Sequence, residues 1–395
     1  MVRAIRRRTI RQLSREEFCE QLRRILAQQF PDETLERLTI GADLEHSLSG
    51  MYARGVSRRG VASVAFLAVP EGESQDALTS CLTYALLWLN RARQTARKGS
   101  IAKLRLLLPK GTSSMLTHRL AALDSRLALE IFEVDSLRER LEPVDPCTNG
   151  NVSTWLVPRR ESQMLLDRAA PAIQHVCALA AEPELIRPHP SVQTGEVVLR
   201  FRGLSFARWK DGELEFEVRG LSQQLNPENE VALKQLLQNL QAYRHPLASD
   251  TRHELYRAQP ERWLQAIVAQ DVSRIDVTLD PEHLYEQVFA SAAGQRGILD
   301  LLGVSRSGRL AILELKASEN VDLPLQAADY WHRIRQHQTA GDLQRYGYFP
   351  ERSLQEAPPV VYLISPALRF HPATDALLKY LSPDMEVIRI GLAET

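Results

Sequence analysis

Lysine is scarce in this 395-residue chain, with 7 residues against 42 arginines. A lysine inside an apolar strand therefore needs a reason. Net charge is absent too: 49 basic side chains balance 49 acidic ones. The whole chain is not a polycation, and any surface for a polyanion must be a local patch. The four cysteines, Cys19, Cys81, Cys147 and Cys177, lie far apart with no CxxC or Cys/His cluster. That spacing argues against a structural zinc and fits reduced thiols, hence a cytoplasmic setting. Long apolar runs are missing: a run such as Ala85 to Leu89 is too short to span a bilayer. The basic start, MVRAIRRRTIRQ, has no apolar stretch behind it, so no secretory signal is expected. There is no P-loop, no GxGxxG, no GxSxG and no HExxH. His332 and His337 read as helix-surface residues.

What is present is an alternation of helical and strand-like segments, long enough for two or three domains and α/β in class. A capping box at Ser14 predicts a helix start, and a second helix is expected over residues 42–54. A strand (61–69), a helix (75–97), a strand (101–108), a helix and a strand (127–134) complete an N-terminal α/β domain, 1–142. Proline, glycine and asparagine make 142–160 a linker. A middle α+β segment, 155–275, has a helix (161–181), strands at 196–202, 205–209 and 213–218, and helices at 227–243 and 251–270. Asp211-Gly212 is the expected hairpin turn. The last unit, 276–395, reads helix (281–293), strands (297–304, 309–317), helix (323–339), strand (360–365), helix (373–381), strand (386–390).

The chemistry concentrates in that last unit. In Arg309-Leu-Ala-Ile-Leu-Glu-Leu-Lys-Ala317, Leu310, Ile312, Glu314 and Lys316 fall on one face of a strand. Burying a charge costs several kcal/mol (about 3–5 when a partner is lost) unless it is paired or metal-bound. Asp300 interrupts the preceding apolar strand. A hairpin closing through Arg306-Ser307-Gly308 sets Asp300 opposite Glu314. Two juxtaposed carboxylates repel unless a divalent cation lies between them. Oxygen ligands favour Mg²⁺ or Mn²⁺. A neighbouring Lys316 can orient a water or take its proton, which an arginine does poorly.

Asp300, then Glu314-Leu315-Lys316, resembles the D…(D/E)xK signature of the PD-(D/E)xK, restriction-endonuclease-like superfamily. Leu299 stands where many members have proline. The resemblance implies a mixed sheet flanked by helices, with metal held by Asp300, Glu314 and the Leu315 carbonyl. Gln326-Ala-Ala-Asp-Tyr330 resembles the QxxxY motif of the RecB and lambda-exonuclease branch. Glu286, read on the helix before Asp300, matches the upstream acid, ahead of Glu282. The implied function is a Mg²⁺- or Mn²⁺-dependent nuclease acting on DNA in preference to RNA, with the chemistry confined to 276–395. No membrane association is expected, and monomer and homodimer both fit.

Three other readings stand beside it. Glu314 and Lys316 can form a structural salt bridge in a non-catalytic nucleic-acid-binding or scaffold protein, or the site can hydrolyse small phosphate esters. The basic-aromatic run Arg200-Phe-Arg-Gly-Leu-Ser-Phe-Ala-Arg-Trp-Lys210 places Arg200, Arg202, Arg208 and Lys210 as candidate nucleic-acid contacts, against a plain solvated basic face. Arg6, Arg7 and Arg8 read as a solvated terminus. Finally, Gly55-Val-Ser-Arg-Arg-Gly60 parallels Gly303-Val-Ser-Arg-Ser-Gly308. The N-terminal domain is then either a degenerate copy, with Tyr52, Phe66 and Ala68 in place of Asp300, Glu314 and Lys316, or an unrelated α/β unit.

Overall fold

The computed structural model describes residues 2–96, 100–145, 154–218, 220–292 and 297–393. Cys147, Asn149, Gly150 and Asn151 lie outside the described residues, as do the side chains of Arg6, Arg7, Arg8 and Ser14. The chain is an α/β protein with two mixed six-stranded sheets and one antiparallel five-stranded sheet. No helix among the described residues is long and apolar enough to cross a membrane.

The first helix, α1 (Val2–Gln29), runs through Ser14 instead of starting there. Phe18, Leu22, Ile25 and Leu26 recur at helical spacing and pack on Ala53, Phe66, Ala68 and Leu107. The elements that follow are β1 (Thr34–Thr39), β2 (Ala53–Arg59), β3 (Ala62–Ala68), α2 (Gln75–Thr95), β4 (Ser100–Pro109), α3 (Ser114–Leu120), β5 (Leu129–Asp135) and β6 (Arg140–Val144). The helix expected over 42–54 is absent. That stretch is a short 3₁₀ turn at Leu44–His46 leading into β2. Arg54 is the reason: its buried guanidinium donates to Gly41 O and Ser49 O, which curls the loop back on itself.

The expected linker is partly sheet. β7 (Thr154–Leu156) crosses over and pairs with an edge strand of the last unit. Turn-forming residues around it hid a three-residue strand. Next come α4 (Arg159–Leu179) and the antiparallel meander β8 (Ile186–Ser191), β9 (Glu196–Phe201), β10 (Leu204–Lys210), β11 (Glu213–Val218) and β12 (Leu221–Gln224). Asp211 and Gly212 both have positive φ, 50° and 96°, the backbone that a tight hairpin turn requires. The sheet buries Leu199, Phe201 and Trp209 against α4 and α5 (Glu230–Tyr243). The single helix expected over 251–270 is two, α6 (Glu254–Arg257) and α7 (Pro260–Gln270). Proline cannot continue a helix but starts one well, and Gln259 turns at φ 45° before it.

The last unit contains β13 (Tyr285–Ala292), β14 (Ile298–Val304), β15 (Leu310–Leu315), α8 (Leu323–Thr339), α9 (Asp342–Arg345), β16 (Val360–Pro366), α10 (Thr374–Leu378) and β17 (Val387–Leu392). A helix was expected over 281–293. Among the described residues of that range only Pro281–His283 is helical, as a 3₁₀ turn, and Tyr285–Ala292 forms β13 instead. Tyr285, Val288 and Phe289 suit a strand, and pairing β13 with β14 covers what would otherwise be a bare sheet edge.

The two six-stranded sheets share a plan. β1-β2-β3-β4-β5 and β13-β14-β15-β16-β17 have the same order, with pairings antiparallel, antiparallel, parallel, parallel. α2 and α8 join the third and fourth strands, and α3 and α10 the fourth and fifth. The units pack reciprocally: α3 lies on α8 and α10 on α2. The loops after α3 and α10 bridge each other, Asp124 N donating to Tyr380 O and Ser382 N to Ala122 O, both at 2.9 Å. One apolar core, including Leu86 and Ala328, runs through both units.

Candidate active-site cleft

The β14–β15 hairpin has the expected register: Leu301, Leu302, Gly303 and Val304 face Leu313, Ile312, Ala311 and Leu310. Past Leu301 a side chain takes over from the ladder. Asp300 Oδ2 accepts from the Leu315 amide at 3.1 Å. Asp300 and Glu314 therefore meet at the open end of the hairpin.

Glu314 is 3% exposed, and its Oε2 has no hydrogen-bond partner. Burial, then the Asp300 charge, pushes its carboxyl well above the usual range; Lys316 opposes this. Burial also raises Asp300, against the Leu315 N–H, Lys316 and Arg262. Lys316 follows β15 directly. Its amide bonds to Ile364 O at 3.0 Å, and its Nζ lies 3.5 Å from Glu261 Oε2. Leu315 packs its side chain into the core on the far face of the sheet.

A cleft of about 810 Å³ opens over these groups. Gln326 and Tyr330, one turn apart on α8, line it. Gln326 Nε2 lies 3.4 Å from Asp322 Oδ2. Burial, with Glu314 nearby, pushes the Tyr330 hydroxyl up. Five of the six residues singled out from the sequence thus share one cleft. The sixth does not. Glu286 sits on β13 opposite Leu301, and it is absent from the cleft wall. Its Oε2 accepts from Gln265 Nε2 at 3.1 Å and lies 3.9 Å from His189. Burial raises its carboxyl as well. Gln265 also accepts from Arg262 at 2.9 Å, and Arg262 lies 3.9 Å from Asp300. Glu286 reaches the site through that chain.

The basic run of the middle segment divides. Arg200, paired across the strands with Ser205, faces the cleft with it. Arg202, at φ 44°, turns into a separate depression with Glu184 and Trp263. Arg208 and Lys210 are exposed and lie 3.8 and 3.1 Å from Glu196. These two are the solvated face that the alternation allowed.

Several cleft residues were invisible in the sequence. Arg119 on α3, Glu261 and Arg262 on α7, and Arg333 on α8 all line it. The chemistry is therefore not walled by 276–395 alone; all three segments contribute. Arg333 could have been suspected from Asp329 one turn before it, with which it pairs at 2.5 Å. Arg119 carries no such mark, because its partner Asp322 is distant in sequence.

Two features hold α7 at the site. Gly203, at φ 81°, allows the β9–β10 turn to touch α7: an added Cβ would stand 2.1 Å from Arg262 O. Arg244, fully buried, donates to the carbonyls of Arg202, Leu255, Ala258 and Gln259.

The donor set fits a hard divalent cation. Two carboxylates meet at the hairpin end, and one buried oxygen, Glu314 Oε2, has no partner. A second acidic group, Asp280, Glu282 and His283, is compact enough to hold a cation. Asp280 is already engaged there by the Glu282 amide, His283 and Arg352, and none of the three lines the cleft.

No family model matches the chain, and no curated protein matches it. Among solved structures, it is similar to a chain from an EndoMS–dsDNA2 complex at 13% identity and a TM-score of 0.23. That likeness covers 52% of this chain and 64% of the other, so the chain spans less than two thirds of that relative. It is also similar to Can2 from Sulfobacillus thermosulfidooxidans bound to cyclic tetra-adenylate, at 8% identity and a TM-score of 0.18, over 76% of this chain and 89% of that one.

Proposed function

We propose that the protein is a Mg²⁺- or Mn²⁺-dependent nuclease that hydrolyses phosphodiester bonds, in DNA ahead of RNA. The observation that carries this reading is the buried, unpartnered Glu314 oxygen beside Asp300, with Lys316 at the mouth of the same cleft. As a structural salt bridge, Glu314 would have its partner; instead Lys316 Nζ lies against Glu261.

In this reading Asp300, Glu314 and the Leu315 carbonyl hold the metal. When bound, the metal would supply Lewis acidity to the phosphoryl oxygen and acidify a water. Lys316 Nζ would orient that water and, in its unprotonated form, take up its proton. The Leu315 amide keeps Asp300 aimed at the cleft. Gln326 and Tyr330 position the strand, as in the QxxxY branch that the motif resembles. Glu286 acts at one remove, through Gln265 and Arg262. The N-terminal unit, with the same strand plan, is a degenerate copy. Its corresponding hairpin, β2 with β3, carries no carboxylate, so it packs against the active unit and does not cut.

Purified protein should degrade DNA with Mg²⁺ or Mn²⁺, and Lys316→Ala should lose more than about a hundredfold in kcat while keeping its melting temperature. Full activity in that variant sinks the assignment. Metal binding without cleavage of DNA, RNA or model phosphodiesters would favour the scaffold reading.

A further inference from the structure

We infer that Arg200, reaching in from the middle sheet, forms a phosphate-binding subsite next to the reaction centre. It holds a phosphate of the substrate strand other than the one being cut. The inference rests on the nuclease reading for the identity of its ligand, but not for the existence of an anion site.

Pairing sets Arg200 apart. Among the described residues, the cleft's other cations each have an acid in reach. Arg333 pairs with Asp329 at 2.5 Å and Arg119 with Asp322 at 3.4 Å. Lys316 faces Glu261 at 3.5 Å, and Arg262 lies 3.9 Å from Asp300. Arg200 has no hydrogen bond or ion pair among the described residues, and its Nε is buried without a partner. Glu286, whose charge reaches Arg200, is bonded instead to Gln265.

An arginine left so is costly. A guanidinium has five N–H donors and cannot shed its proton to escape burial. Its surroundings add to the cost. Burial, then Arg262, depresses the group to about 10, while His189 beside it is held neutral by burial and by Arg200 and Arg262. An anion at this point satisfies the donors and offsets the repulsion between the two arginines. Ser205, opposite Arg200 across the strands, adds a hydroxyl on the same wall. The planar fork of a guanidinium matches two oxygens of one phosphate.

The position defines the role. Arg262 lies 3.9 Å from Asp300 and its charge reaches Arg200 on the same cleft wall, so the subsite adjoins the carboxylates without coinciding with them. The anion held there is either a terminal phosphomonoester or an internal diester of the strand being cut.

The test is equilibrium binding of a short fluorescent single-stranded DNA in EDTA, which prevents cleavage, at several NaCl concentrations. The probe is made with a 5′-phosphate, with a 3′-phosphate, or with hydroxyl ends. Arg200→Gln should weaken binding about tenfold and lower the salt slope by about one. Arg200→Lys, which keeps the charge and loses the fork, should restore the slope and part of the affinity. A loss confined to one phosphorylated probe identifies a terminal phosphate, and a loss common to all three identifies an internal one. Melting curves confirm that the variants fold, and if Arg200→Gln does not, Arg200→Lys and Ser205→Ala carry the test. Binding and salt slope unchanged in Arg200→Gln overturn the inference. A wild type that never cleaves, yet loses binding in Arg200→Gln, keeps the subsite and drops the nuclease. A wild type that cleaves, with Arg200→Gln binding unchanged, does the reverse.

Discussion

The Leu315 amide donates to Asp300 Oδ2 at 3.1 Å, so a side chain occupies the place where the next ladder bond between β14 and β15 would form. The bond holds one carboxylate oxygen and leaves the other to face the cleft. Asp300→Asn would keep most of the shape and lose the charge. In wild type, Mg²⁺ or Mn²⁺ should raise the melting temperature by mass action. In Asp300→Asn that shift should vanish; a shift of wild-type size would exclude Asp300 as a ligand.

Glu314 sets a pH dependence. Its folded carboxyl lies well above the usual range, so the folded state keeps its proton where the unfolded chain releases it. Stability without metal is therefore lost as pH rises above the ordinary carboxylate range. Glu314→Gln removes that loss. In EDTA it should melt higher than wild type at pH 8, by roughly 2 °C, with the gap closing toward pH 4. With Mg²⁺ the order should reverse. Equal melting in EDTA at both pH values would count against a destabilising buried carboxylate.

Gly203 and Arg244 place α7, and with it Arg262. Gly203→Ala meets both a positive φ and the Arg262 carbonyl, and should cost about 1–3 kcal/mol in urea unfolding. Arg244→Met leaves four carbonyls without their donor and should cost about 2–4 kcal/mol. Both should lower activity in the folded protein, although neither residue lines the cleft. Unchanged activity would show that α7 holds its position without them.

Asp322 ties the two similar units together. It accepts from Thr83 and lies 3.4 Å from Arg119, both in the N-terminal unit, and burial raises its carboxyl. Arg119→Met strands that acid and should cost about 3–5 kcal/mol. Arg119→Met with Asp322→Asn should cost less than the sum of the single changes. Additive losses in this double-mutant cycle would mean that the pair is uncoupled.

Taken alone, the sequence determined the local chemistry. The hairpin register, and with it the meeting of Asp300 and Glu314, followed from period-two alternation and a short turn. The Asp211-Gly212 turn and the bounds of α8 were legible for the same reason: each depends on residues within a few positions. β13 was read as a helix because its pattern is ambiguous over so short a run, and the free edge of β14 decided the matter. The tertiary structure alone decided what surrounds the carboxylates. Glu286 was displaced from the cleft by strand pairing, and Arg119, Arg200 and Arg262 were delivered to it from three separate elements, α3, β9 and α7. Periodicity can show which face of an element a charge occupies. It cannot show which distant element that face will meet, because that choice is made by the packing of whole sheets and helices.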